Sequence, residues 1–244
     1  MRPDQPTLDP TDEGDPAART AGPLVRLVEV SKTYSEGPID RQVLREVSLN
    51  LPRGEMTSLT GVSGSGKSTL ISVLAGLMLP DSGRVFFDGN EITGLDDVAR
   101  ARLRALRVGV VLQSGNLIPF LTAQENVELA MELGGGRDRN GGRAEGLLSE
   151  LGLGDRLHHV PRRMSGGEAQ RVSVAVALAN HPDLLLADEV TGQLDSTNAE
   201  QVMGVIVDAW RRRGLTVLFV THNRELAARA EQRLVLEGGE VRDQ

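Results

Sequence analysis

The 244-residue sequence contains no cysteine, so it has neither a disulfide framework nor thiolate chemistry. Aromatic residues make up only 2% of it. The core must therefore be built from Leu, Val, Ile and Ala, a palette that suits parallel strands buried on both faces. Basic residues are not in excess. Lys and Arg number 27 against 34 Asp and Glu, giving a net charge of −7. That balance argues against an open nucleic-acid surface, which would be basic. No apolar stretch reaches the roughly 18 residues needed to span a bilayer. Residues 1–23 carry Asp4, Asp9, Asp12, Glu13 and Asp15 with several prolines. They lack the apolar run of a signal peptide and are expected to form a disordered acidic tail. A membrane role would have to come through a partner.

What is present is an alternation of strand and helix signals. Residues 24–30 and 43–51 read as strands, and residues 52–54 turn into a strand at 55–60. Residues 84–87, followed by Asp88-Gly89, suggest a hairpin at an antiparallel edge. A basic helix at 98–107 precedes a strand at 108–112. Helical segments at 122–133 and 143–151 flank the glycine-rich stretch 134–142. Continuous apolar runs at 184–187 and 216–220 have the pattern of doubly buried strands, and 233–241 reads as a hairpin around Gly238-Gly239. The implied class is α/β: a mainly parallel sheet, an added antiparallel layer from the two terminal hairpins, and a small helical subdomain inserted at about 114–164 of a domain spanning 24–244. Arg100, Arg104 and Arg107 share a helix face that is expected to be solvated.

Three motifs carry chemistry. The run from Gly61 through Val62, Ser63, Gly64, Ser65, Gly66, Lys67 and Ser68 to Thr69 matches the phosphate-binding pattern G-x-x-x-x-G-K-[ST], placed between a strand and an apolar helix. Glycines let backbone N–H groups turn inward around a phosphate, and the following helix adds its own unpaired donors and dipole. Lys67 is expected to reach the β- and γ-phosphates of a nucleotide and Ser68 to hold Mg²⁺. The run at 184–187 ends in Asp188 and Glu189. A buried strand thus delivers two acids at its C-terminal end, where open α/β sheets bind ligands. Asp188 suits Mg²⁺ and Glu189 suits a general base. The third motif runs from Ser165 through Gly166, Gly167 and Glu168 to Arg171. Ser165 and Glu168 form a capping box. Two glycines in the first turn are poor helix formers that a cap does not need. They point to a second anion site at a helix start.

The third motif resembles the signature of ABC ATPases, and the resemblance extends from about residue 24 to the end. It implies a P-loop NTPase core in which two cassettes pair head to tail. The signature of one copy then covers the γ-phosphate held by the other. Other positions match the family one by one. Tyr34 is similar to the aromatic that stacks on adenine. Gln113 is similar to the glutamine that senses Mg²⁺ and meets the membrane partner. Asp195 is similar to the interface-crossing aspartate, and His222 to the switch histidine at the γ-phosphate. Four positions depart from the usual pattern: Val190 for proline, Leu112 for Phe, Ala169 for Gln and Val176 for Arg. None removes a phosphate or metal ligand. Val190 is expected to give the loop after Glu189 more freedom.

The stretches 34–43, 113–119 and 122–126 are similar to cassettes of the lipoprotein-release and macrolide-export group. The resemblance implies an ATPase using ATP and Mg²⁺, without nucleic acid and without direct membrane insertion. It would pair with a second copy of itself and with an integral membrane permease, at the cytoplasmic face of the membrane. The main rival is a soluble ABC ATPase acting on ribosomes or DNA. Such chains usually fuse two cassettes or insert a coiled coil or zinc module. Neither a second cassette nor zinc-type cysteines occur here.

Overall fold

The computed structural model describes residues 22–36, 39–113, 116–136 and 142–244. The expected acidic tail, but for its last two residues, lies outside them.

Two long strands open the fold, β1 (Val25–Glu36) and β2 (Ile39–Leu51), paired antiparallel. Both run further than the alternation at 24–30 and 43–51 suggests, because each passes through a bulge. Glu29 and Glu46 take φ of 51° and 46°. Their N–H groups leave the ladder and donate across to the hydroxyls of Ser48 and Ser31 at 3.0 and 2.9 Å. Those hydroxyls satisfy the donors that a bulge would otherwise orphan. With β4 (Ser82–Phe87) and β5 (Asn90–Glu91) these strands make a four-stranded antiparallel sheet ordered β2-β1-β4-β5.

The second sheet holds β3 (Met56–Thr60), β6 (Val108–Val111), β7 (Leu184–Asp188), β8 (Thr216–Val220), β9 (Gln232–Glu237) and β10 (Glu240–Asp243) in the order β10-β9-β3-β8-β7-β6. All neighbours are parallel except β10 against β9. The C-terminal hairpin therefore extends the parallel sheet and does not join the antiparallel layer. Its first strand pairs with β3, because Leu234 and Leu236 are buried in the same core as Leu59.

Seven α-helices and two short 3₁₀ turns (Gly154–Arg156 and Pro161–Arg163) complete the described chain: α1 (Lys67–Leu74), α2 (Asp97–Arg107), α3 (Ala123–Leu133), α4 (Gly142–Glu150), α5 (Gly166–Leu178), α6 (Ser196–Arg213) and α7 (Arg224–Ala227). One core fills the space between the two sheets and α1. A second packs α5 and α6 on the other face of the parallel sheet. A third joins α3, α4 and α5. Thr122 caps α3 in a reciprocal box with Glu125, a feature typically worth about 1 kcal/mol.

Arg100, Arg104 and Arg107 of α2 do not form a solvated face. Arg100 is 9% exposed and bonds Asp97 and the Leu95 carbonyl. Arg104 donates to the Gly76 carbonyl at 2.7 Å. Arg107 bridges Asp88 and Asp183 and lies over the Phe87 ring. The helix uses its positive charge to bind the end of α1, the β4–β5 turn and the start of β7.

Asp88 is the centre of that cluster, accepting from Arg53 and Arg107. Burial opposes its ionisation. The two guanidinium hydrogen bonds and charges outweigh burial and hold the carboxyl below the usual carboxylate range. A group so lowered stabilises the fold above its unfolded value of about 3.9 and stops doing so as pH falls through the lower folded value. Asp88 also sits at φ 53°, a conformation asparagine tolerates. Asp88→Asn therefore removes charge and leaves the turn intact. It is expected to cost about 1–3 kcal/mol at pH 7. In urea melts the gap to the parent should be constant down to about pH 4 and close in stronger acid. A gap independent of pH to below 3 would reject this account.

Candidate nucleotide site

β3, β7 and β8 are adjacent in the parallel sheet and end at the same edge. The residues that follow each strand therefore meet. After β3 comes the loop 61–66, with Gly61, Gly64 and Gly66 at φ 151°, 73° and 107°. A Cβ on Gly61 would stand 2.4 Å from the Leu236 carbonyl oxygen, and one on Gly66 2.7 Å from that of Val43. The loop thus needs glycine for its backbone shape and also for its close seating on β2 and β9. Lys67 is 5% exposed and curls back to donate to the carbonyls of Gly61 and Val62 at 3.0 and 2.9 Å. The Ser65 hydroxyl is buried with no protein partner. Val62, Ser63, Gly64 and Ser68 are exposed at the mouth.

At the end of β7, Asp188 is 8% exposed. Burial pushes its carboxyl above the usual range; the Ser68 hydroxyl opposes this, the Glu189 charge adds to it, and Lys67 opposes it. Glu189 takes φ 48°, unusual for a non-glycine residue. Its Oε1 lies 2.6 Å from His222 Nε2, which follows β8. With Glu189 ionised, the imidazole N–H is the donor. Val190, the next residue, is 5% exposed and its side chain packs in the core with α6. Gln113, exposed after β6, has its side-chain nitrogen beside Gly192 in the turn that Glu189 begins. Tyr34 reaches the same place from β1, its hydroxyl 3.3 Å from Thr69 Oγ1 and from Met78 Sδ.

Ser165, Gly166, Gly167 and Asp195 form a second group. Ser165 and Glu168 make the expected capping box, and Arg156 donates to Glu168 at 2.7 Å. The backbone N–H of Ser165 and the Arg156 guanidinium hold the Glu168 carboxyl below its usual value. Asp195 caps α6 by accepting from the Asn198 backbone and side chain at 2.9 and 2.7 Å. A Cβ on Gly167 would fall 2.3 Å from Asn198 Oδ1. Close packing of α5 on α6 therefore requires glycine here on steric grounds, independently of any anion at the helix start. Gly166 has open space except for Leu194. Among the described residues, no hydrogen bond runs from this group to the loop 61–66.

The likeness to known proteins decides the lineage. A family described as ABC transporter matches residues 44–192. The chain belongs to that family. It is 44% identical over 224 residues to the uncharacterized ABC transporter ATP-binding protein YbbA of Escherichia coli K12, covering 91% of this chain and 97% of that one. It is 40% identical over 222 residues to the macrolide export ATP-binding/permease protein MacB 2 of Aeromonas hydrophila. That match covers 91% of this chain but 34% of MacB 2, so the cassette spans about a third of that relative. Among solved structures, a dimeric form of the ATP-binding cassette MJ0796 with ADP and Pi bound superimposes with a TM-score of 0.85. The two are 38% identical, over 90% of this chain and 97% of that one. The mixed α/β architecture of this cassette is that of the P-loop NTPases.

Arg41, Arg156 and Asn198 belong to these two groups, and sequence reasoning passed over all three. Asn198 alone had a local signal, its place three residues after the capping Asp195. Arg41, which donates to the Gly64 carbonyl at 2.9 Å, and Arg156 act across 23 and 12 residues of chain.

Proposed function

We propose that the chain is the ATP-hydrolysing subunit of an ABC transporter, two copies of which close head to tail on ATP to drive a separate membrane permease. The observation that supports this best is the convergence of the glycine loop, Lys67, Asp188, Glu189 and His222 at one edge of the parallel sheet. Phosphoryl transfer needs positioning and charge neutralisation more than covalent chemistry. The loop and the start of α1 offer backbone donors to the phosphates. Lys67 exchanges its two loop carbonyls for β- and γ-phosphate oxygens. Glu189 accepts a proton from the attacking water, and His222 holds that carboxylate in place beside the γ-phosphate. Tyr34 stacks on adenine. Ser165, Gly166 and Gly167 cap the γ-phosphate of the partner copy, and Asp195 crosses between the copies.

The residues present also fit Mg²⁺. Asp188 is a buried carboxylate short of positive charge, with the Ser68 hydroxyl beside it and Gln113 near the following turn. No group of three His, Cys, Asp or Glu among the described residues makes a closed metal cage. A site of one carboxylate and one hydroxyl, completed by phosphate oxygens, is how Mg²⁺ is usually held. When bound, the ion neutralises charge on the phosphoryl oxygens.

No helix among the described residues is long and apolar enough to cross a membrane. Attachment to the cytoplasmic face of a membrane would then run through the permease. Of the apolar residues at 117–121, Leu117 packs into the helical core, Ile118 and Leu121 are half-buried, and Phe120 is 78% exposed. Phe120 is the residue offered to a coupling helix of the permease. Phe120→Asp is expected to weaken association with the permease about 30-fold and abolish its stimulation of ATPase. Basal hydrolysis should stay within about twofold. Copurification with the permease of the neighbouring reading frame measures both. Unchanged association and stimulation would move the interface elsewhere. No membrane partner in any nucleotide state would favour the soluble-cassette reading.

A further inference from the structure

Arg41 stands directly opposite Tyr34 in the β1–β2 register. Residues so paired project from the same face of a sheet. Here that face turns to the glycine loop from both strands. The Tyr34 hydroxyl is at Thr69, and Arg41 Nη2 donates 2.9 Å to the Gly64 carbonyl. A Cβ on Gly64 would be 3.3 Å from the same nitrogen, so the guanidinium nitrogen sits where a side chain at 64 would crowd it. That approach is open because residue 64 has no side chain. Arg41 has no other partner among the described residues, and its side chain is exposed at the mouth. One N–H of five is used. The remaining four form part of a planar, permanently charged fork suited to phosphate oxygens.

We propose that Arg41 is a positioning and affinity residue for the nucleotide's phosphate chain, supplying a second fixed cation beside Lys67. Two effects combine. The bond to the Gly64 carbonyl pulls that oxygen outward, which keeps the neighbouring N–H groups of the left-handed turn directed into the loop. The free edge of the guanidinium meets a phosphate oxygen of the bound nucleotide, next to the ring that takes its base. Tyr34 and Arg41 thus form a cross-strand pair reading the two ends of one ligand. The inference rests on the loop being an ATP site.

Its test separates the two claims. The parent chain and Lys67→Ala, titrated with a fluorescent ATP analogue, establish whether the loop binds ATP at all. If the parent does not bind, the nucleotide reading itself fails. With parent binding in hand, Arg41→Ala and Arg41→Gln are expected to raise Kd and KM for MgATP about tenfold. Turnover at saturation should stay within about twofold. Gln offers a neutral donor, so it isolates the charge. Arg41→Lys should restore most of the affinity. The salt dependence of ATP binding should be shallower in the Ala and Gln variants, a readout that a purely structural contact would not move. Thermal melts establish that each variant is folded. Parent-like affinity in folded Arg41→Gln, or loss of turnover with KM unchanged, would overturn the proposal. Failure of Lys to recover binding would do the same.

Discussion

Glu189→Gln is expected to slow ATP hydrolysis at least about 100-fold, the usual contribution of a general base, and to leave nucleotide binding intact. The substitution is close to isosteric. A glutamine carbonyl can still accept from His222 Nε2, now 2.6 Å from the Glu189 carboxylate. The left-handed turn at φ 48° is fixed by backbone and by the buried Val190 behind it. What disappears is the capacity to take a proton from water. A second result should accompany the first. If the Ser165 end of each copy completes the partner's site, ATP that is bound but not cleaved will hold two copies together. Phosphate release assays give the rate, and size-exclusion chromatography with and without ATP gives the oligomer. Parent-like turnover, or a monomer at every ATP concentration, would count decisively against the head-to-tail mechanism.

The second large effect concerns Lys67. Lys67→Ala is expected to weaken MgATP binding by about 100-fold or more, the cost of removing one preorganised charge from a closed anion site. The ammonium is buried and held by the Gly61 and Val62 carbonyls. Alanine therefore also strips the loop of an internal tie, and the loss could reflect a disordered loop. Lys67→Met keeps most of the aliphatic stem and none of the charge, and it should bind as poorly as alanine. If methionine restores affinity, loop order and not charge is what Lys67 contributes.

The parts of this fold that were legible in the sequence are those in which local spacing and chemistry coincide. The glycine loop compresses turn, helix start, cation and hydroxyl into the nine residues after β3. The buried runs at β7 and β8 are too apolar to lie anywhere but a doubly covered sheet. The capping box at Ser165 is complete within four residues. What escaped notice depends on partners distant in the chain. The α2 arginines look like a solvated face until Gly76, Asp88 and Asp183 are brought beside them. The bulges at Glu29 and Glu46 depend on serines across the ladder. Gly167 also has a steric reason to be glycine, set by Asn198, 31 positions on. The C-terminal hairpin has a plain turn signal and no local mark of which sheet it joins. Arg41 has no motif at all; only the register that sets it opposite Tyr34 gives it meaning.

The seating of α5 has a mechanical corollary. A Cβ on Gly109 would come 2.4 Å from the Ala177 carbonyl oxygen, so the helix meets β6 backbone to backbone at its C-terminal end. For any tilt of α5 that contact would act as a fulcrum. Ser165 lies 12 residues away, about 18 Å along a helix rising 1.5 Å per residue. By that geometry a tilt of about 10° at the fulcrum sweeps the far tip through about 3 Å, the length of one hydrogen bond. The Gly167–Asn198 contact limits the swing on one side. If the Ser165 end of α5 meets a second copy, as proposed above, a gearing of this ratio would turn a small tilt of the helix into the making or breaking of that contact.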